Sequence, residues 1–160
     1  MGVISFLQEF ESPVDPDRLF KALILDSCNL CPKLLPQHIK SIDIIEGDGG
    51  VGSIKQINFA QGIHFKYAKY RIDELDMENF QCRYTITEGD VLGEKLKSIE
   101  YEMKFVADHG GGCICKMSSE YYSDQELEFK DEDIEFGKER ATEIYKVVET
   151  YLLTNPLSYL

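Results

Sequence analysis

Three stretches of this chain have residue types and spacings that chemistry could use. Cys28-Asn29-Leu30-Cys31 has the C-x-x-C spacing of a redox dithiol or of half a tetrahedral zinc site. Gly47-Asp48-Gly49-Gly50-Val51-Gly52 is a glycine run of the kind that wraps phosphate when a helix follows. Lys55 and a set of tyrosines supply a cation and phenols able to hold a polar ligand group or move a proton.

The surroundings narrow each reading. Zinc takes about four ligands, and the chain offers neither a second C-x-x-C nor an H-x-x-x-H among His38, His64 and His109. The five cysteines, Cys28, Cys31, Cys82, Cys113 and Cys115, cannot all pair, so free thiols in a reducing compartment are expected. Cys28 and Cys31 then read as small half-buried side chains, and neither metal nor cofactor is expected. The glycine run lacks the Gly-Lys-Ser/Thr of a Walker loop, and an extended pattern rather than a helix follows it. It reads as a tight turn between adjacent strands.

The elements that would position these residues follow from patterning. With 160 residues, 43% hydrophobic, one domain covering 1–160 is expected. Seventeen basic against 29 acidic residues give a charge of -12, which repels polyanions, so neither nucleic acid nor an anionic membrane is an expected partner. Met1-Gly2-Val3-Ile4-Ser5-Phe6 has no basic flank and soon meets Glu9 and Glu11, so no secretory signal is expected and the location is read as cytoplasmic. A first strand over Val3 to Phe10 ends at Pro13 and Pro16. Leu19, Phe20, Leu23 and Ile24 then mark a short helix with Asp15 as its N-cap, and a second helical piece around Cys28 to Cys31 should stop at Pro32 and Pro36.

From Ile39 the period becomes two. Strands are expected from Ile39 to Glu46, Ile54 to Phe59, Phe65 to Leu75, Phe80 to Glu88, Leu96 to Val106 and Cys113 to Tyr122, all antiparallel. From Asp131 to Leu153 one long amphipathic helix places Ile134, Gly137, Ala141, Ile144, Val148 and Tyr151 along a stripe. Phe80, Cys82, Tyr84 and Ile86 share a face, as do Ile99, Tyr101, Met103 and Phe105, and Cys113, Cys115, Met117, Ser119 and Tyr121. An inner face carrying phenols is compatible with a cavity, or with tyrosines that satisfy themselves on backbone or bound water. Lys55 shares the parity of Ile57 and Phe59, and either snorkels to the rim or presents its cation to a ligand inside.

Glu46-Gly47-Asp48-Gly49-Gly50-Val51-Gly52-Ser53-Ile54-Lys55 resembles the glycine-rich loop of the class-ten intracellular pathogenesis-related proteins of plants, the family of the major birch-pollen allergen. Arg18-Leu19-Phe20-Lys21-Ala22, Asn29-Leu30 with Pro32-Lys33, Tyr84 to Gly89, Gly111-Gly112 with Lys116, and Glu149 to Leu153 followed by Asn155-Pro156 agree in order and spacing, over essentially the whole chain. The resemblance implies an α+β helix-grip fold: a seven-stranded curved antiparallel sheet around a long C-terminal helix, two short helices, and an internal hydrophobic cavity for flavonoids, cytokinins or other amphipathic metabolites.

Carried over by position, the resemblance implies a cavity lined by Leu23, Asn29 and Ile39, by Lys55, Ile57 and Phe59, and by Phe65 and Tyr67. Cys82, Tyr84 and Ile86, Ile99, Tyr101 and Met103, and Cys115 and Met117 would continue the wall, with Phe136, Arg140 and Ile144 from the helix. Cys82 and Cys28 depart from the family, which often has tyrosine and an acid there, and Tyr122-Ser123-Asp124-Gln125 replaces its usual His-Thr-Lys-Gly. The ribonuclease activity attributed to the family would fall on Lys55, Glu149 and Tyr151, but its remaining acidic position is Lys97 here. Alkaloid-forming relatives pair a lysine and tyrosine with carboxylates, and no carboxylate sits clearly on an inward strand face. Ala60-Gln61-Gly62-Ile63-His64 does not resemble the gate loop of hormone receptors of related fold. The expectation is a carrier for a small apolar or phenolic ligand, a monomer with a dimer as the alternative. An isomerase or condensing enzyme comes second, and a ribonuclease after it.

Overall fold

The structure, a computed structural model, describes residues 2–126 and 131–160, with side chains for 2–126 and 139–160. Strand β1 (Gly2–Ser12) alternates half-buried and exposed positions and stops at Pro13. Helix α1 (Pro16–Phe20) opens with proline at its first position, where no helical N–H is needed. Asp15 precedes it, its carbonyl accepting from Leu19 N while its carboxylate makes no cap bond. A π turn, Lys21–Leu25, and a break at Asp26 (φ -113°, ψ 22°) separate α1 from α2 (Ser27–Leu34).

Of the two expected stops only Pro32 is corrected, because α2 runs past it to Leu34 and ends before Pro36. The missing proline N–H deprives only the Cys28 carbonyl of its helical donor, and Leu35 N still reaches the Cys31 carbonyl at 2.9 Å.

Strands β2 (Ile39–Glu46), β3 (Ile54–Phe59), β4 (Tyr67–Asp76), β5 (Gln81–Gly89), β6 (Leu96–Ala107) and β7 (Cys113–Ser123) follow, and the chain closes with α3 (Asp131–Thr154). All seven strands form one antiparallel sheet ordered β1-β7-β6-β5-β4-β3-β2. Register shifts in the β2–β3, β4–β5 and β6–β7 ladders mark bulges, which bend a sheet. The core lies between the inner face, α1 and the described part of α3, where Leu19, Phe20, Phe105, Cys113, Cys115, Tyr145, Val148 and Leu152 are buried. The most buried positions of α3 are therefore Tyr145, Val148 and Leu152, one step round the helix from much of the expected stripe. Ile134 and Gly137 of that stripe lie outside the described side chains.

Candidate functional site

The glycine loop is closed on itself. Gly49 N donates to Ser53 Oγ and Gly50 N to Asp48 Oδ1, both at 2.9 Å, while Gly52 N donates to the Ile72 carbonyl at 2.8 Å and Ser53 N to the Gly50 carbonyl at 3.0 Å. These amides are spent within the protein rather than held open for a phosphate. Gly47 is required at φ 90°, since a Cβ there would fall 2.4 Å from Ser53 Oγ. The loop is a rigid turn that sets the register of β2 against β3 and so fixes Lys55 on the inner face.

Lys55 is 4% exposed. Among the described residues its ammonium makes no hydrogen bond or ion pair. It pairs across the sheet with Tyr70, and a row of rings continues from there. Tyr70 and Tyr84 have centroids 5.3 Å apart, and Tyr84 stacks on Tyr101 at 5.1 Å and 22°. The Tyr101 and Tyr121 hydroxyls are hydrogen-bonded, and Phe6 meets Tyr121 edge-on at 5.6 Å. Burial pushes the phenols of Tyr70, Tyr84 and Tyr101 well above the ordinary tyrosine value, so they stay protonated. Yet Tyr84, Tyr101 and Tyr121 each retain solvent-accessible surface.

At the other end the same face is filled. Cys82, Cys113 and Cys115 are 2% exposed or less, and burial raises their thiols to about 12, 11 and 12. Small side chains here let α1 and α3 approach. Phe20 packs on Phe105 at 6.0 Å, and Tyr145 stacks on Phe10 at 4.8 Å. The Tyr145 hydroxyl lies against the Cys113 and Cys115 thiols, weak partners, and has no other among the described residues.

The expected lining residues therefore divide. Ile57, Phe59, Phe65, Tyr84, Ile86, Tyr101, Met103 and Met117 are half-buried, as are Leu23 and, on α3, Arg140 and Ile144. Cys82 and Cys115 belong to the closed core, Ile99 is buried, and Ile39 packs in a satellite cluster with Cys31, Leu35 and Ile42. Phe136 lies outside the described side chains.

Two placements are corrected. Tyr67 stands on the outer face, its hydroxyl donating to Glu88 at 3.1 Å, because it shares the parity of Lys69 and Arg71. Asn29 is exposed on α2 and its amide donates to Asp26 at 2.8 Å. The residue missed was Tyr70, 8% exposed, whose inward direction could be read from Lys69-Tyr70-Arg71-Ile72-Asp73. Positions attributed to a ribonuclease are engaged elsewhere: Lys33 sits over the Tyr151 ring at 5.3 Å and Lys97 pairs with Asp124 at 2.9 Å.

Sheet, helices and site together define a helix-grip protein whose inner face is part core, part phenolic wall. The model of the pathogenesis-related protein Bet v 1 family matches residues 1–155, and the chain belongs to that family. It is 47% identical over 159 residues to the major strawberry allergen Fra a 1.07 of Fragaria ananassa, covering 99% of each chain. The crystal structure of Ara h 8.0201 superposes with a TM-score of 0.84 at 35% identity, covering 96% of this chain and 99% of that one. Norcoclaurine synthase from Thalictrum flavum, in complex with dopamine and hydroxybenzaldehyde, shares the fold with a TM-score of 0.73 at 21% identity, covering 96% of this chain and 88% of that one. Among the described residues no helix is long and apolar enough to cross a membrane, and no group of three or more His, Cys, Asp or Glu side chains could hold a metal ion.

Proposed function

We propose that this protein is an intracellular carrier or receptor for a small, mostly apolar metabolite held against the phenolic wall between the sheet and α3. The observation that carries this reading is the state of Tyr84 and Tyr101. Both are desolvated by surrounding protein, yet both keep accessible surface. Enclosure with residual surface is what a side chain on the wall of an internal cavity would have. Lys55 supports the reading, since its stem is buried on the inner face and a bound acceptor there would meet its ammonium. Ammonium only donates, whereas phenols donate or accept, so the ligand carries an acceptor at the Lys55 end. Planar phenolics, flavonoids, cytokinins and related hormones meet this description. Burying about 300 Å² of such a ligand at ~25 cal/mol per Å² gives several kcal/mol before ordering costs, enough for micromolar affinity.

The test is displacement of a fluorescent apolar probe by flavonoids, cytokinins and other plant hormones. The probe is expected to bind wild type and to bind Tyr84→Ala about tenfold more weakly. Failure of the probe and of every candidate compound to bind would end the reading.

A second reading, a condensing or isomerising enzyme using the same space, draws on Lys55, Tyr84 and Tyr101 sharing one face and on the amine and aldehyde bound by the norcoclaurine synthase. Against it, the inward strand positions carry no carboxylate among the described residues. Product formed from an aryl amine and an aldehyde, and lost in Lys55→Met, would carry it instead.

A further inference from the structure

The carrier role leaves Cys28-Asn29-Leu30-Cys31 unused. We propose that Cys28 and Cys31 are a redox dithiol that closes to an intramolecular disulfide when a low-molecular-weight disulfide such as oxidised glutathione is the oxidant.

Helix α2 puts the two residues one turn apart on one side, with Cβ atoms at about 5–6 Å by ordinary helix geometry. A disulfide needs Cβ atoms at about 3.5–4.5 Å, so the first turn of α2 must tighten by an ångström or two. The fold leaves that turn able to do so. Asp26 before it is out of helical conformation, with φ -113° and ψ 22°. Pro32 leaves the Cys28 carbonyl without its helical donor, so moving Cys28 breaks no bond from that group to residue 32. The pair is also asymmetric in access. Cys28 is half-exposed, whereas Cys31 is 6% exposed with its thiol raised to about 11, first by burial and then by its neighbour Cys28. One sulfur meets the oxidant and the other waits behind it.

In the first step the Cys28 thiolate attacks one sulfur of oxidised glutathione. A mixed disulfide forms and one glutathione thiolate leaves. Cys31 then attacks the Cys28 sulfur, its proton passing to the departing second glutathione. Two protein thiols are oxidised to one disulfide, and one glutathione disulfide is reduced to two thiols. Nothing in this depends on what the phenolic wall holds. Cys28 and Cys31 are both electrostatic neighbours of the Tyr70 phenol, so the disulfide would form against one end of that wall.

The full chain, equilibrated with reduced and oxidised glutathione at neutral pH, is acid-quenched, alkylated and mapped by mass spectrometry. The expected product is a disulfide within the peptide carrying Cys28 and Cys31, with Cys82, Cys113 and Cys115 still thiols. Cys31→Ser should instead accumulate the Cys28–glutathione adduct, about tenfold or more above wild type, because the intramolecular attack that removes it is gone. Should that variant fail to fold, the wild-type map decides alone. A wild-type chain that remains fully reduced, stops at the glutathione adduct, or pairs Cys28 or Cys31 with another cysteine overturns the proposal.

Discussion

The two ends of the sheet's inner face share strands, parity and family, yet they do opposite things. At one end Cys82, Cys113 and Cys115 are small enough for Phe20 of α1 and Tyr145 of α3 to press down to the backbone, and no accessible surface is left. At the other, Tyr84 stacks on Tyr101, Tyr101 bonds to Tyr121, and all three rings keep accessible surface. Period-two patterning decides which face a residue takes. What arrives from the opposite side decides whether that face becomes core or wall.

The largest expected difference between the ends is in stability. Phe105→Ala removes a ring 2% exposed that packs on Phe20, and should cost about 3–5 kcal/mol in chemical denaturation. Tyr84→Ala removes a ring that is only half-buried and should cost about 1–2 kcal/mol, because less of its surface is packed. Equal costs would mean that both ends are equally filled, and the distinction would fall.

A smaller effect separates the ends by pH. The thiols of Cys82, Cys113 and Cys115 are raised from an ordinary value of 9.0 to about 12, 11 and 12 in the folded protein. The unfolded chain therefore releases these protons first. Their contribution is complete below about pH 9 and is lost as pH rises from there through 11 to 12, on the order of a few kcal/mol for each thiol. The phenols of the open end act in the same direction but begin only near their ordinary value of 10.0. Cys82→Ala should therefore flatten the stability slope between pH 9 and 10, and Tyr84→Phe should not, as read from denaturation midpoints across that range.

The strands were legible because polarity alternates cleanly: Lys69, Arg71 and Asp73 point out while Tyr70 and Ile72 point in. The expected place of Tyr67 on the wall rests on the resemblance, whereas the alternation of its own strand turns Tyr67 out and Tyr70 in. Asn29 was taken from resemblance, and here its amide bonds to Asp26 on the helix surface. The division of the inner face was not legible, since Cys115 and Tyr101 have equivalent parities. Their fates diverge only when Tyr145 stacks over Phe10 beside Cys115, a contact between residues 135 positions apart that no local pattern records. The extension of α2 beyond Pro32 was equally hidden, because it depends on a bond from Leu35 rather than on the proline.

The smallest expected effect concerns Lys55, where wall and core compete within one side chain. Its stem is packed like the closed end while its ammonium has no partner among the described residues. Lys55→Met keeps the length and removes the charge, so the variant should stay within about 1 kcal/mol of wild type, because the packing of the buried stem is kept. The apolar probe should bind it unchanged, while a ligand with a carbonyl or carboxylate acceptor should bind about tenfold more weakly. A loss of stability beyond 1 kcal/mol or so would instead assign Lys55 to the packed interior. Unchanged affinity for every acceptor-bearing ligand would leave the phenols alone to orient what the protein carries.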